Sequence, residues 1–118
     1  MKKIMLVVED DPDLQHLLVR MFEDEGYTVE VASDGLEALM KIPIVQPNIL
    51  LLDLKMPRMN GKTLLDELAI RDWRDSIRVI VVSALQAFES DGLPVDAVIA
   101  KPFAVEDLLA VVEEMGAE

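Results

Sequence analysis

Ile4-Met5-Leu6-Val7-Val8-Glu9-Asp10-Asp11-Pro12 sets the pattern for the whole chain. Five consecutive apolar residues, three of them β-branched, suit a strand covered on both faces, the usual condition in a parallel sheet. Three acids follow at the strand's carboxyl end. Asp11-Pro12 then reads as a helix cap followed by proline at the first helical position, where a missing N–H costs nothing. Leu14, Leu17, Leu18, Met21 and Phe22 continue at helical spacing, and Gly26 closes that helix.

The alternation repeats outward from this stretch. Residues 27–32 alternate apolar and polar and are predicted as an edge strand. Ser33 or Asp34 caps a second helix with a predicted stripe of Leu36, Leu39 and Met40, which Pro43 should end or kink near Ile42. Residues 48–53 form a second continuous apolar run, ending in Asp53. Pro57 and Gly61 punctuate a loop, and Leu64, Leu65 and Leu68 mark a third helix. Residues 78–83 are a third apolar run, ending in Ser83. A weak segment precedes Ala97-Val98-Ile99-Ala100 and Lys101-Pro102, and a last helix carries Val105, Leu108, Leu109 and Val112. Strict strand–helix alternation implies an α/β fold, a parallel sheet with helices on both faces. The apolar runs belong inside the sheet.

Length and composition narrow the function. A chain of 118 residues suits one domain over 1–118, and 52% hydrophobic residues supply its core. The absence of cysteine excludes disulfides, a thiol nucleophile and cysteine-ligated metals. A net charge of −12 speaks against direct nucleic-acid binding and against docking on anionic membranes. No apolar stretch approaches the ~18 residues of a membrane span. The five-residue run after Met1-Lys2-Lys3 falls short of the roughly 7–15 of a signal-peptide core. A cytoplasmic protein is expected.

In an open α/β sheet, ligands bind beyond the carboxyl ends of the strands. Those ends carry Glu9-Asp10-Asp11, Asp53, Ser83 and Lys101. One polar residue at a strand end is ordinarily a helix cap; four sets of complementary chemistry are harder to explain that way. Two carboxylates ~5 Å apart repel by roughly 3 kcal/mol at an effective dielectric near 20. Such a cluster should hold a proton or recruit a hard cation, and oxygen ligands without His or Cys favour Mg²⁺. A carboxylate, Mg²⁺, a lysine and a hydroxyl together can stabilise a phosphoryl group in transfer.

Four motifs in order carry a family resemblance: Val8-Glu9-Asp10-Asp11, residues 51–61 around Asp53 with Met56-Pro57 and Gly61, Val82-Ser83-Ala84, and Lys101-Pro102-Phe103. With them the chain resembles the receiver domain of two-component response regulators over essentially its whole length. The resemblance implies a flavodoxin-like, doubly wound sheet of strand order 2-1-3-4-5. It implies Asp53 as both phosphoacceptor and Mg²⁺ ligand and Asp10 as a direct Mg²⁺ ligand, with Glu9 reaching the ion through water and Lys55 offering its backbone carbonyl. Ser83 and Lys101 would meet the phosphoryl group, and the Lys101-Pro102 bond would be cis. The phosphoryl donor would be a sensor histidine kinase or a phosphotransfer protein, and an unspecified downstream protein would read the switch. The chain would catalyse only its own phosphorylation and dephosphorylation, as a monomer or weak homodimer.

Two features depart from the family pattern. Val98 stands where an aromatic is usual, three positions before Lys101. The 12 residues from Ala84 to Val95 are about the minimum for a crossover with its helix, so a fourth helix should be short or disordered. Two alternatives compete with the receiver: a degenerate receiver acting as a constitutive binding module, and a Mg²⁺-dependent aspartyl-phosphate phosphatase. Against the phosphatase, Lys55 stands where that group carries a second Asp. Asp11 reads as a cap, His16 as exposed, and Trp73 as a lid over the third helix.

Overall fold

Strand and helix alternate along the computed structural model, which describes residues 3–53, 61–73, 76–84 and 95–116. The order is β1 (Ile4–Val8), α1 (Pro12–Asp24), β2 (Thr28–Ala32), α2 (Gly35–Val45), β3 (Ile49–Leu52), α3 (Gly61–Ile70), β4 (Arg78–Ala84), β5 (Ala97–Lys101) and α4 (Val105–Gly116). All strand pairs are parallel, in the order β2-β1-β3-β4-β5. The half-polar β2 lies at one edge, and the apolar β1, β3 and β4 lie inside. The predicted short fourth helix falls at residues 84–95, most of which lie outside the described residues.

Side-chain alternation along the inner strands builds two cores. Leu6, Val8, Leu50, Leu52, Val79 and Val81 face α2 and α3, where Ala38, Ile42, Leu64, Leu65 and Leu68 meet them. Met5, Val7, Ile49, Leu51, Ile80 and Val82 face α1 and α4, where Leu18, Phe22, Leu108 and Val112 close the second core. Both faces are covered, which is why β1 and β3 are apolar throughout and β4 is apolar from Val79 to Val82.

Local signals set the helix ends. Asp11 caps α1, its side chain accepting the N–H groups of Asp13 and Leu14. At the other end Gly26, at φ 94°, donates to Glu23 O, and Tyr27 N–H reaches back to Phe22 O. The Tyr27 and Phe22 rings meet edge to face at 5.8 Å. This is the Schellman arrangement, and it needs a residue that tolerates positive φ. Asp34 caps α2 through Glu37 N–H.

The structure corrects three readings of the helices. The buried face of α2 is Ala38 and Ile42, with Leu39 packed beside them, whereas Met40 is 68% and Leu36 38% exposed. Almost every residue of α2 is apolar, so hydrophobicity alone does not fix its phase. Nor does α2 end near Ile42; it continues to Val45, and Gln46 N–H bonds Ile42 O at 2.8 Å. Pro43 lies in the last turn, where its ring removes one hydrogen bond, the one to Leu39 O, and the next turn still closes. In α1, Leu17 is also exposed while Leu18 and Phe22 carry the core.

Candidate functional site

The carboxyl edge of the sheet assembles the acids by backbone pairing. Glu9 N–H bonds Ala32 O at the end of β2, and Asp53 N–H bonds Val8 O at the end of β1. Residues 44 positions apart in sequence thereby become neighbours. Glu9, Asp10 and Asp53 each present a carboxylate oxygen within 4.8 Å of the others. Glu9 and Asp53 are buried, and Asp10 is exposed.

Lys101, at the end of β5, reaches into this cluster. Its Nζ donates to Glu9 Oε1 at 2.8 Å and to Asp53 Oδ2 at 3.1 Å. The expectation that the cluster must hold a proton or a metal is therefore incomplete: the chain supplies its own ammonium. Burial pushes the Glu9 carboxyl above its ordinary value, against the pull of the Lys101 hydrogen bond and charge. Burial works against the Lys101 charge too, but its hydrogen bonds to Glu9 and Asp53 outweigh that and hold the ammonium above its usual range. Among the described residues, three carboxylates and one ammonium sum to a formal charge of −2.

That charge and the all-oxygen donor set fit a hard divalent cation, with Asp10 accessible to solvent. Lys101-Pro102 is cis, as expected. Ser83 lies in β4 opposite Ala100, one step before the pair Ala84–Lys101, so its backbone stands at the same edge; its side chain lies outside the described residues. Lys55, Met56 and Pro57 also lie outside them. Asp11 is occupied as the α1 cap and is not part of the acid group, while its own N–H donates to Glu9 Oε2 at 3.1 Å. His16 is exposed. Trp73 packs on the α2–α3 core with the Arg71 guanidinium 5.4 Å from its ring centroid, so it serves the fold away from the acids. Val98 is 37% exposed.

Two contacts escaped the sequence reading. One is the Lys101–Glu9 pair, which a phosphoryl-directed lysine does not require. The other is Gln15, whose Nε2 donates to Glu9 O at 3.0 Å. A long polar side chain in the first turns of a helix, leaning toward its N-terminus, was the available signal.

The profile of the family described as the response regulator receiver domain matches residues 5–113. The chain belongs to this family. The receiver is 38% identical over 110 residues to the response regulator MprA of Mycobacterium ulcerans, covering 90% of this chain and 47% of that protein. It thus spans about half the length of the curated relatives it matches. Among solved structures, it is similar to the CheY-like receiver domain protein of Methanospirillum hungatei, with 32% identity and TM-score 0.86 over 99% of this chain and 96% of that one. It is also similar to response regulator TrrA of Thermotoga maritima, solved in complex with Mg²⁺-BeF, with 28% identity, TM-score 0.85, and coverage of 96% and 98%. Among the described residues, no helix is long and apolar enough to cross a membrane.

Proposed function

We propose that residues 1–118 form one receiver unit in which Asp53 accepts a phosphoryl group from a phosphohistidine. The donor is a sensor histidine kinase or a phosphotransfer protein in the cytoplasm. The observation that carries this reading is the meeting of Asp10, Glu9 and Asp53 with Lys101 at one sheet edge. A carboxylate oxygen of Asp53 attacks phosphorus. The phosphorus–nitrogen bond breaks, its electron pair returns to the imidazole, and an aspartyl phosphate forms. Water later attacks phosphorus, releasing phosphate and restoring the Asp53 carboxylate.

Asp10 and Asp53 would hold Mg²⁺ directly, with the Lys55 carbonyl as a third ligand and Glu9 acting through water. Bound there, the cation offsets negative charge on the phosphoryl oxygens. Lys101 is already hydrogen-bonded to Asp53 and can follow the new acceptor oxygens. The Ser83 hydroxyl is assigned the same target. A phosphoryl group adds about −1.5 to −2 charge, so redirecting Lys101 from Glu9 biases the β4 and β5 ends toward a second arrangement that a downstream protein reads. The half-exposed Val98 takes the place of an inward-swinging aromatic, so this switch runs through Lys101 and Ser83.

The test is incubation with acetyl phosphate and Mg²⁺ followed by intact-mass measurement. One added phosphoryl group in the parent, absent in Asp53→Asn and in EDTA, supports the reading. No addition in the parent would leave a binding module instead.

A further inference from the structure

We propose that Gln15 is a positioning residue: by clamping the Glu9–Asp10 peptide it sets the direction in which Asp10 meets a divalent cation. The inference rests on the cation site proposed above. Gln15 occupies the first turns of α1, just past the Asp11 cap, and its own N–H makes the helix's first bond, to Asp11 O at 2.9 Å. Its side chain leans back along the helix, as helical side chains do, and Nε2 donates to Glu9 O six residues earlier at 3.0 Å.

Glu9 is then held at four atoms. Its N–H bonds Ala32 O at 3.0 Å, its carbonyl accepts from Gln15, Oε1 accepts from Lys101 and Oε2 from Asp11 N–H. Three of these four contacts fix the side chain or the amide of Glu9. Among the described residues, the Gln15 contact is the one that fixes the carbonyl, and the carbonyl defines the plane of the peptide that carries Asp10. Asp10 is exposed, so its direction comes from the backbone it stands on. Groups that orient a metal ligand from behind commonly change affinity by about ten- to a hundredfold when removed.

The test uses the full chain with Gln15→Met, which keeps the side chain's length and loses the donor, and Gln15→Arg, which keeps a donor. In EDTA, the amide resonance of Asp10, which shares its peptide plane with the Glu9 carbonyl, should shift or broaden in Gln15→Met and return toward the parent position in Gln15→Arg. The Mg²⁺ dissociation constant of Gln15→Met, by calorimetry, should rise about tenfold. Its urea midpoint in EDTA should stay near the parent's. An unchanged Asp10 amide with unchanged Mg²⁺ affinity would overturn the assignment. So would a lowered midpoint with unchanged affinity, which would mark Gln15 as a tie of the fold alone. If the parent binds no Mg²⁺, the cation site fails, and the amide comparison in EDTA still decides whether Gln15 sets the peptide.

Discussion

Lys101→Met removes the ammonium that lies 2.8 Å from Glu9 and 3.1 Å from Asp53, and largely keeps the side chain's length. At an effective dielectric near 20, each contact corresponds to about 5–6 kcal/mol of Coulomb attraction. Desolvation of the three groups offsets most of that in the parent. Removing one partner from a buried pair costs about 3–5 kcal/mol, because the remaining charges are left uncompensated. The Lys101 side chain keeps 24% of its exposure, which lets water soften the loss. We expect about 3 kcal/mol at neutral pH in EDTA, the low end of that range. Urea unfolding followed by circular dichroism reads it directly.

The pH dependence carries a sign. Glu9 has a carboxyl raised above its ordinary value, chiefly by burial. Such a group favours the folded state fully below the ordinary carboxylate value, and that contribution is lost as pH rises through the raised one. Loss of Lys101 raises Glu9 further, so the variant's penalty should shrink as the solution becomes mildly acidic. The contribution of Lys101 itself holds throughout the neutral range and is lost only above the ordinary lysine value, where its raised folded value lies. Mg²⁺ should restore part of the variant's stability, since the site without the ammonium carries three carboxylates. A variant as stable as the parent in EDTA at neutral pH, or a penalty that grows on acidification, would show that Lys101 does not compensate the buried carboxylates.

Four further substitutions test the frame around the site. Asp11→Ala removes the α1 cap and should cost about 1 kcal/mol in urea unfolding, as lost caps do. Gly26→Ala should cost about 1 kcal/mol from backbone conformation alone, because nothing lies within 4 Å of the added Cβ and φ is 94°. Within α2, Ile42→Ala should cost about 3 kcal/mol by leaving a cavity. Met40→Ser, on the exposed side of the same helix, should stay within about 0.5 kcal/mol of the parent by thermal unfolding.

Strand positions were legible because burial on both faces leaves a continuous apolar signature, as at residues 4–8 and 49–52. The site edge followed from the same signature, since Glu9, Asp53 and Lys101 each sit where an apolar run stops. The phase of α2 was not legible: Leu36, Leu39, Met40, Ile42 and Ile44 ring the helix, and packing against β1, β2 and α3 selects Ile42 over Met40. The fate of Pro43 depended on how many turns follow it, which hydropathy does not report. The acids could be brought together on paper, but not their counter-ion's preference. That Lys101 bridges Glu9 and Asp53 is a matter of ångströms set by how β5 ends beside β4. The Gln15 contact was hidden for a related reason, because a glutamine early in a helix looks like ordinary solvated surface until the acidic turn before it is placed.

Reductive trapping is the most direct measurement of the central assignment. After incubation with acetyl phosphate and Mg²⁺, borohydride converts an aspartyl phosphate to homoserine, and peptide mass spectrometry locates the residue. Conversion is expected at position 53, and should disappear when Mg²⁺ is withheld. Conversion at position 9 or 10, or at no aspartate or glutamate of the chain, would contradict the assignment.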